Sequence, residues 1–273
     1  MVCIAAVLCA AVLNVWLLSS KQQEINTTNE QRASFSAASD ALIAQTQARK
    51  EQEKIQNDAD AKAMAEQAAE GVDPNDSTVN SRVCNRSLSH ADPTAIDVVV
   101  NKKHCMQPVG FTPSDLITVH GATISSKAAD GFNALIAAAT AAHQPFYVTS
   151  SFRSYESQAA TYAYWVSLSG KDGADTYSAR PGYSEHQTGL AFDVATIGCV
   201  LDCFGSTSQY TWLQQNAADY GFIQRYYSGY EAITGYKAEE WHYRYVGVEV
   251  AKDMKAKGVK TLEQYWNISG GDY

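Results

Sequence analysis

All but two of the 29 aromatic residues and all but one of the 17 glycines lie beyond residue 76 of this 273-residue chain. Aromatic side chains supply much of the area a core can bury, and glycines supply tight turns. Residues 77–273 therefore carry the folded domain, and their length suits one compact unit with a substantial core. With 45% hydrophobic residues the chain as a whole is not disordered, and its one long apolar run excludes a polytopic membrane protein. A formal charge of −8 without a concentrated Lys/Arg stripe argues against nucleic acid as a partner.

The apolar run spans Val2 to Leu18, broken only by Asn14 and followed by Ser19, Ser20 and Lys21. Residues 1–20 read as a membrane anchor or signal segment. No Lys or Arg precedes the run and no small-x-small cleavage site follows, which favours an uncleaved anchor and an extracytoplasmic domain. Residues 21–76 hold 6 basic and 11 acidic side chains, abundant Ala and Gln, and Phe35 as their one aromatic. Phe35, Leu42, Ile43, Ile55 and Met64 do not sustain a heptad seam, so this stretch reads as a polar spacer. Asp73-Pro74-Asn75-Asp76 punctuates it and sets the domain boundary near residues 71–80.

Beyond Cys3 and Cys9 in the apolar run, four cysteines remain: Cys84, Cys105, Cys199 and Cys203. In an exported domain they suggest two disulfides, and the pairing with the shortest loops is Cys84 with Cys105 and Cys199 with Cys203. Zinc binding at Cys199-x-x-x-Cys203 is the competing reading, and no second Cys pair of ligand spacing supports it.

Apolar spacing predicts a helix over 126–143, a strand at 146–149 delivering Ser150 to Ser154, and a second helix over 155–169. Gly182 marks a loop, residues 189–194 read as a strand, 211–220 as a helix and 241–246 as a last strand. Two segments concentrate the chemistry: Ser184-Glu185-His186-Gln187-Thr188-Gly189-Leu190-Ala191-Phe192-Asp193 and Glu239-Glu240-Trp241-His242-Tyr243-Arg244. A turn at Gly189 lets His186 and Asp193 converge, and His242 completes a set of two imidazoles and one carboxylate. That set leaves the fourth position of a tetrahedral zinc open, which distinguishes a catalytic from a closed structural site. Glu239, three residues before His242, is the candidate general base, and adjacent Glu240 should point away from the face carrying Glu239 and Trp241. Taken singly, a His beside Trp is an ordinary core residue and an Asp after an apolar run an ordinary cap. The joint spacing carries the inference; His90, His104, His120 and His143 lack such neighbours.

These segments resemble the zinc D-alanyl-D-alanine carboxypeptidases of the VanY type and their L,D-carboxypeptidase relatives. The resemblance runs from Asn101-Lys102-Lys103-His104 through Pro113-Ser114-Asp115-Leu116, Ser151-Phe152-Arg153-Ser154-Tyr155 and Ser178-Ala179-Arg180-Pro181-Gly182, to the two motifs above and on to Gly247. It implies an α+β fold, with a small antiparallel sheet carrying a Zn2+ site and helices packed behind it. It further implies His186, Asp193 and His242 as ligands, Glu239 as base and Arg153 facing the substrate, a peptidoglycan stem peptide. A guanidinium at a strand end can clamp a free α-carboxylate, with Ser151, Ser154, Gln158 and Ser184 adding hydrogen bonds. Glu240 stands where the family pattern has proline, and the four cysteines are additions that suggest stapled loops. The resulting expectation is removal of a terminal D-alanine, D,D- or L,D-. A peptidoglycan zinc endopeptidase and a non-catalytic cell-wall binding module are the alternatives.

Overall fold

The computed structural model describes Lys21 and residues 90–273. The apolar run, the rest of the spacer, its boundary, and Cys3, Cys9 and Cys84 lie outside the described residues. A hairpin of β1 (Leu116–Val119) and β2 (Ala122–Ser125) turns at His120 and Gly121, both with positive φ. The Ser125 hydroxyl accepts from Lys127 N and so caps α1, Ser126–Ala141. Helix α1 buries Ala128, Phe132, Leu135 and Ala139, the three-and-four spacing of one helical face. It ends two residues short of the sequence expectation, and Pro145 follows soon after.

Strand β3 (Tyr147–Ser150) leads to α2 (Tyr155–Asp175), which Ser154 caps. Gly170, with φ 69° and ψ 169°, breaks α2, so its first segment ends at Ser169 as the sequence pattern predicts. Strand β4 covers Ala191–Ala195 and helix α3 Ser208–Asn216. Helix α3 starts three residues earlier than the pattern suggested because Thr207 accepts from Tyr210 N. Strand β5 (Phe222–Tyr226), helix α4 (Glu231–Thr234), strand β6 (Glu239–Tyr245) and helices α5 (Val248–Lys257) and α6 (Leu262–Trp266) complete the chain.

The four longer-range strands form an antiparallel sheet in the order β3-β4-β6-β5. With helices packed around it, this is the α+β architecture expected. Alternation along the strands gives the sheet two distinct faces. Phe192 lies opposite Tyr243, and Phe222 opposite Tyr245, on the face that meets α1. Phe132 of α1 is fully buried there, edge-on to Phe192 at 5.0 Å between centroids, and Phe192 meets Phe222 at 5.1 Å. Gly131 permits the approach, since a Cβ at that position would sit 2.4 Å from the Tyr220 carbonyl oxygen. The neighbouring strand positions, Asp193 opposite His242 and Ala191 opposite Arg244, face the other way.

Truncating Phe132 to Ala removes the ring that joins α1 to this face and should cost about 3–5 kcal/mol of unfolding free energy. Urea denaturation measures it. A loss under 1 kcal/mol would show that α1 is not the principal cover of the sheet.

Candidate metal centre

His186 stands on a single 3-10 turn, Glu185–Thr188, that closes at Gly189 with φ 68°. A side chain at Gly189 would strike Leu116 Cδ2 at 2.8 Å and approach Ser125 N at 3.1 Å, so glycine lets the turn press against the β1–β2 hairpin. The His186 ring is oriented by donation from Nδ1 to the Ser151 carbonyl oxygen, 2.7 Å, which leaves Nε2 facing Asp193 Oδ2 at 3.3 Å. Asp193 and His242 are direct cross-strand partners in β4 and β6, with Asp193 Oδ1 3.2 Å from His242 Nδ1. Among the described residues, His186, Asp193 and His242 form a buried group able to hold a metal, their donor atoms all within 4.8 Å of one another.

Asp193 Oδ1 is buried and makes no hydrogen bond. Burial disfavours a charged His242, yet Asp193, Glu185 and Glu239 outweigh that and hold its pKa well above the usual 6.5. A group of carboxylates that drives a buried imidazole toward its cation has excess negative charge that a divalent ion would neutralise. Donor chemistry, convergence and charge all fit Zn2+.

Glu239 Oε2 lies 3.4 Å from His242 Nδ1. Residues three apart in a regular strand face opposite sides, and the irregularity that reverses this is visible in the pairing. Gln224 faces Tyr243, whereas Tyr226 two residues on already faces Glu239. Gln224 pins this bulge by donating to the carbonyl oxygens of Tyr226 and Glu239, at 2.8 and 3.3 Å. Glu240 packs against Gly205 on the other side. Burial raises the Glu239 pKa, with His242 acting in the opposite direction.

The centre opens into a cleft of about 520 Å³ lined in part by Arg153, Gln158, Ser184, Glu239 and Trp241. Arg153 donates to Gln158 Oε1 at 2.9 Å and to Ser150 Oγ at 2.7 Å. Ser151 and Ser154 do not line the cleft. Ser151 accepts from Thr123 N and Ser154 caps α2, while Ser150, passed over in the sequence, contacts the guanidinium. The β3–β4 register shifts between Val148 and Ser150, and period counting from Thr149 could not anticipate that turn of the chain. Val200, Leu201 and Asp202, inside the loop closed by a Cys199–Cys203 disulfide, line another wall. Cys105 is also disulfide-bonded.

Below the centre lies a buried ionic cluster that the sequence did not signal, although Glu185 stands beside His186 in the motif. Glu185 Oε1 accepts from Arg225 Nε at 2.8 Å and Arg244 at 3.0 Å, and Arg225 donates two bonds to Glu263, at 2.7 and 2.9 Å. Burial opposes ionisation of Glu185 and Glu263, but the arginines hold both carboxyls below the usual range, Glu185 well below it.

Two imidazoles and a carboxylate, an adjacent buried acid and a guanidinium across one cleft define a metallopeptidase class of site. The chain belongs to the VanY family, whose model, described as D-alanyl-D-alanine carboxypeptidase, matches residues 121–248. It is 38% identical over 188 residues to YodJ of Bacillus subtilis (strain 168), covering 64% of this chain and 68% of that one. The structure of the LdcB LD-carboxypeptidase is similar with a TM-score of 0.60 and 36% identity, over 66% of this chain and 89% of that one. That of the L,D-carboxypeptidase DacB from Streptococcus pneumoniae gives a TM-score of 0.54 and 43% identity, over 64% and 89% of the two chains.

The depressed carboxyl of Glu263 contributes stability that is present above its ordinary value of 4.5 and is lost as pH falls through the lower folded value. Glu263→Gln should therefore lower Tm at neutral pH, by an amount that shrinks on acidification. Thermal melts between pH 7 and pH 3 check this, and a gap independent of pH would contradict it.

Proposed function

We infer that this chain is a zinc-dependent carboxypeptidase that removes C-terminal D-alanine from peptidoglycan stem peptides, acting outside the cytoplasm at the cell wall. The observation that carries the reading is the buried His186–Asp193–His242 group with Glu239 beside it and Arg153 in the same cleft. Zinc, when bound by those three residues, supplies Lewis acidity toward the scissile carbonyl and lowers the pKa of water. Glu239 takes the proton from the attacking water and returns it to the leaving amine; a carboxyl raised by burial is suited to both transfers. Arg153, braced by Gln158 and Ser150, has N–H donors to spare for the free α-carboxylate of the terminal residue.

That clamp favours an exopeptidase over an endopeptidase, because an internal bond offers no carboxylate to pair with the guanidinium. A complete donor set with a buried base likewise favours catalysis over a binding module. The apolar run at residues 2–18 supports attachment to the membrane, with residues 21–76 as a spacer to a catalytic domain at 77–273. Among the described residues no helix is long and apolar enough to cross a membrane.

Glu239→Gln should retain zinc and lose on the order of 10²-fold or more in kcat, whereas Glu240→Gln should have a small effect. Metal analysis beside single-turnover hydrolysis of tetra- and pentapeptide stems reads both. The reverse order of the two variants would reassign the base, and full activity after exhaustive chelation would remove zinc from the mechanism.

Arg153→Lys should raise KM for free-acid stem peptides, since Lys cannot form the planar fork. The wild-type protein should cut a C-terminally amidated peptide poorly. Equal cleavage of amidated and free-acid peptides would replace the clamp with the endopeptidase reading.

A further inference from the structure

Glu185 is committed to two arginines through only one of its oxygens. Arg225 Nε and Arg244 both donate to Oε1, at 2.8 and 3.0 Å, and Oε2 is buried without a hydrogen-bond partner. The nearest polar atom given for Oε2 is His242 Nε2 at 3.5 Å, itself buried and without a hydrogen-bond partner. On the opposite edge of the same ring, Nδ1 faces Asp193 Oδ1 at 3.2 Å and Glu239 Oε2 at 3.4 Å. The imidazole therefore stands between a carboxylate held by arginines and the metal-binding group.

We propose that Glu185 is a positioning residue that fixes His242 as the Nε2–H tautomer and so presents Nδ1 to the metal. The proposal rests on the zinc reading above. The physical reason lies in the tautomer choice: an imidazole ligates only through a nitrogen that carries no proton, and an acceptor at the other nitrogen decides which one that is. His186 is set in the opposite sense by the Ser151 carbonyl oxygen at its Nδ1. The two ligands thus use different nitrogens, each selected by an acceptor on its far side.

The ionic cluster beneath then has a purpose beyond stability. Buried ion pairs seldom stabilise a fold relative to apolar packing of the same volume. Arg225 and Arg244 are fully buried, and Arg225 is fixed by two bonds from its other edge to Glu263, which Asn101 also holds at 2.9 Å. Two guanidinium groups on Oε1 hold the Glu185 carboxylate in place, with Oε2 directed at the ring.

Glu185→Gln tests this with little change of shape. Its carbonyl oxygen stays with the two arginines, so its NH2 takes the place of Oε2 and presents a donor to Nε2. The ring must then carry its proton on Nδ1, the wrong nitrogen for the metal. Zinc affinity, measured by chelator competition on purified protein, should fall about 10–100-fold. Glu263→Gln disturbs Arg225 without touching His242 or Arg244, which still holds Glu185 Oε1, and should lower Tm while leaving zinc affinity close to wild type. Unchanged affinity in Glu185→Gln, or an equal loss in Glu263→Gln, would overturn the proposal in favour of a structural cluster. Should Glu185→Gln fail to fold, ring 15N shifts of zinc-loaded wild type decide: Nε2–H with Nδ1 coordinated upholds it, and Nε2 coordination overturns it. Failure of the wild type to bind zinc at all would instead remove the metal reading, and this inference with it.

Discussion

The pairing of β4 with β6 is the constraint on which everything else in the domain depends. Each strand carries one core residue next to one metal-site residue, Phe192 beside Asp193 and Tyr243 beside His242, and antiparallel pairing matches like with like. Alternation then sends the aromatic pair toward α1 and the ligand pair toward the cleft. A slip of one residue would place a carboxylate against Phe132 and a phenyl ring in the metal group. The hydrophobic core and the catalytic constellation are therefore specified by the same register, and the energy that buries Phe192 also fixes the distance between Asp193 and His242. This couples stability to function at the level of the backbone.

The third ligand arrives by a different route, on a turn rather than a strand. The 3-10 turn at Glu185–Thr188 is wedged between the hairpin and the sheet, tied by the bond from Ser125 N to the Gly189 carbonyl oxygen and by His186 Nδ1 to the Ser151 carbonyl oxygen. Turn geometry alone would leave an imidazole with several rotamers, and these contacts select one. Metal sites need that precision because ligand directions, as well as distances, set the geometry at the ion. The four fully buried charges below the sheet face belong to the same task. Their desolvation is costly, and a fold selected only for stability would have little reason to keep them.

How much of this was legible in the sequence depends on how local each cause is. The Gly189 turn, the α1 face, the break after Ser169 and the spacing that unites His186, Asp193, Glu239 and His242 follow from neighbours a few residues apart. The β1–β2 hairpin, β5 and the helices after residue 247 have no local signature, because their short segments lack a sustained period and gain their structure from partners far along the chain. Ser150 rather than Ser151 meets the Arg153 guanidinium because the β3–β4 register shifts just before Ser150. Arg225 and Glu263, separated by 38 positions, meet through tertiary folding that no local pattern announces. The polar cluster was invisible for that reason, although one of its members sits inside the motif.

On the proposed reading, recognition and chemistry fall to separate parts of the domain. Asp193, His242 and Glu239 belong to β4 and β6 at the centre of the sheet, where pairing on both sides restricts movement. Arg153, Gln158 and Ser150 come from the end of edge strand β3 and the start of α2, and Val200 to Asp202 from a disulfide-closed loop leaving β4. A central strand cannot change its side chains without disturbing two neighbours, whereas an edge strand and a loop can. The cleft wall can thus be altered while the register that assembles the metal centre is preserved. Cys199 and Cys203 close the loop on this wall, and just beyond it Phe204 is anchored in the core and Gly205 lies against Glu240. Glu240, turned away from the reaction, therefore still contributes to the cleft by backing the loop that forms its rim.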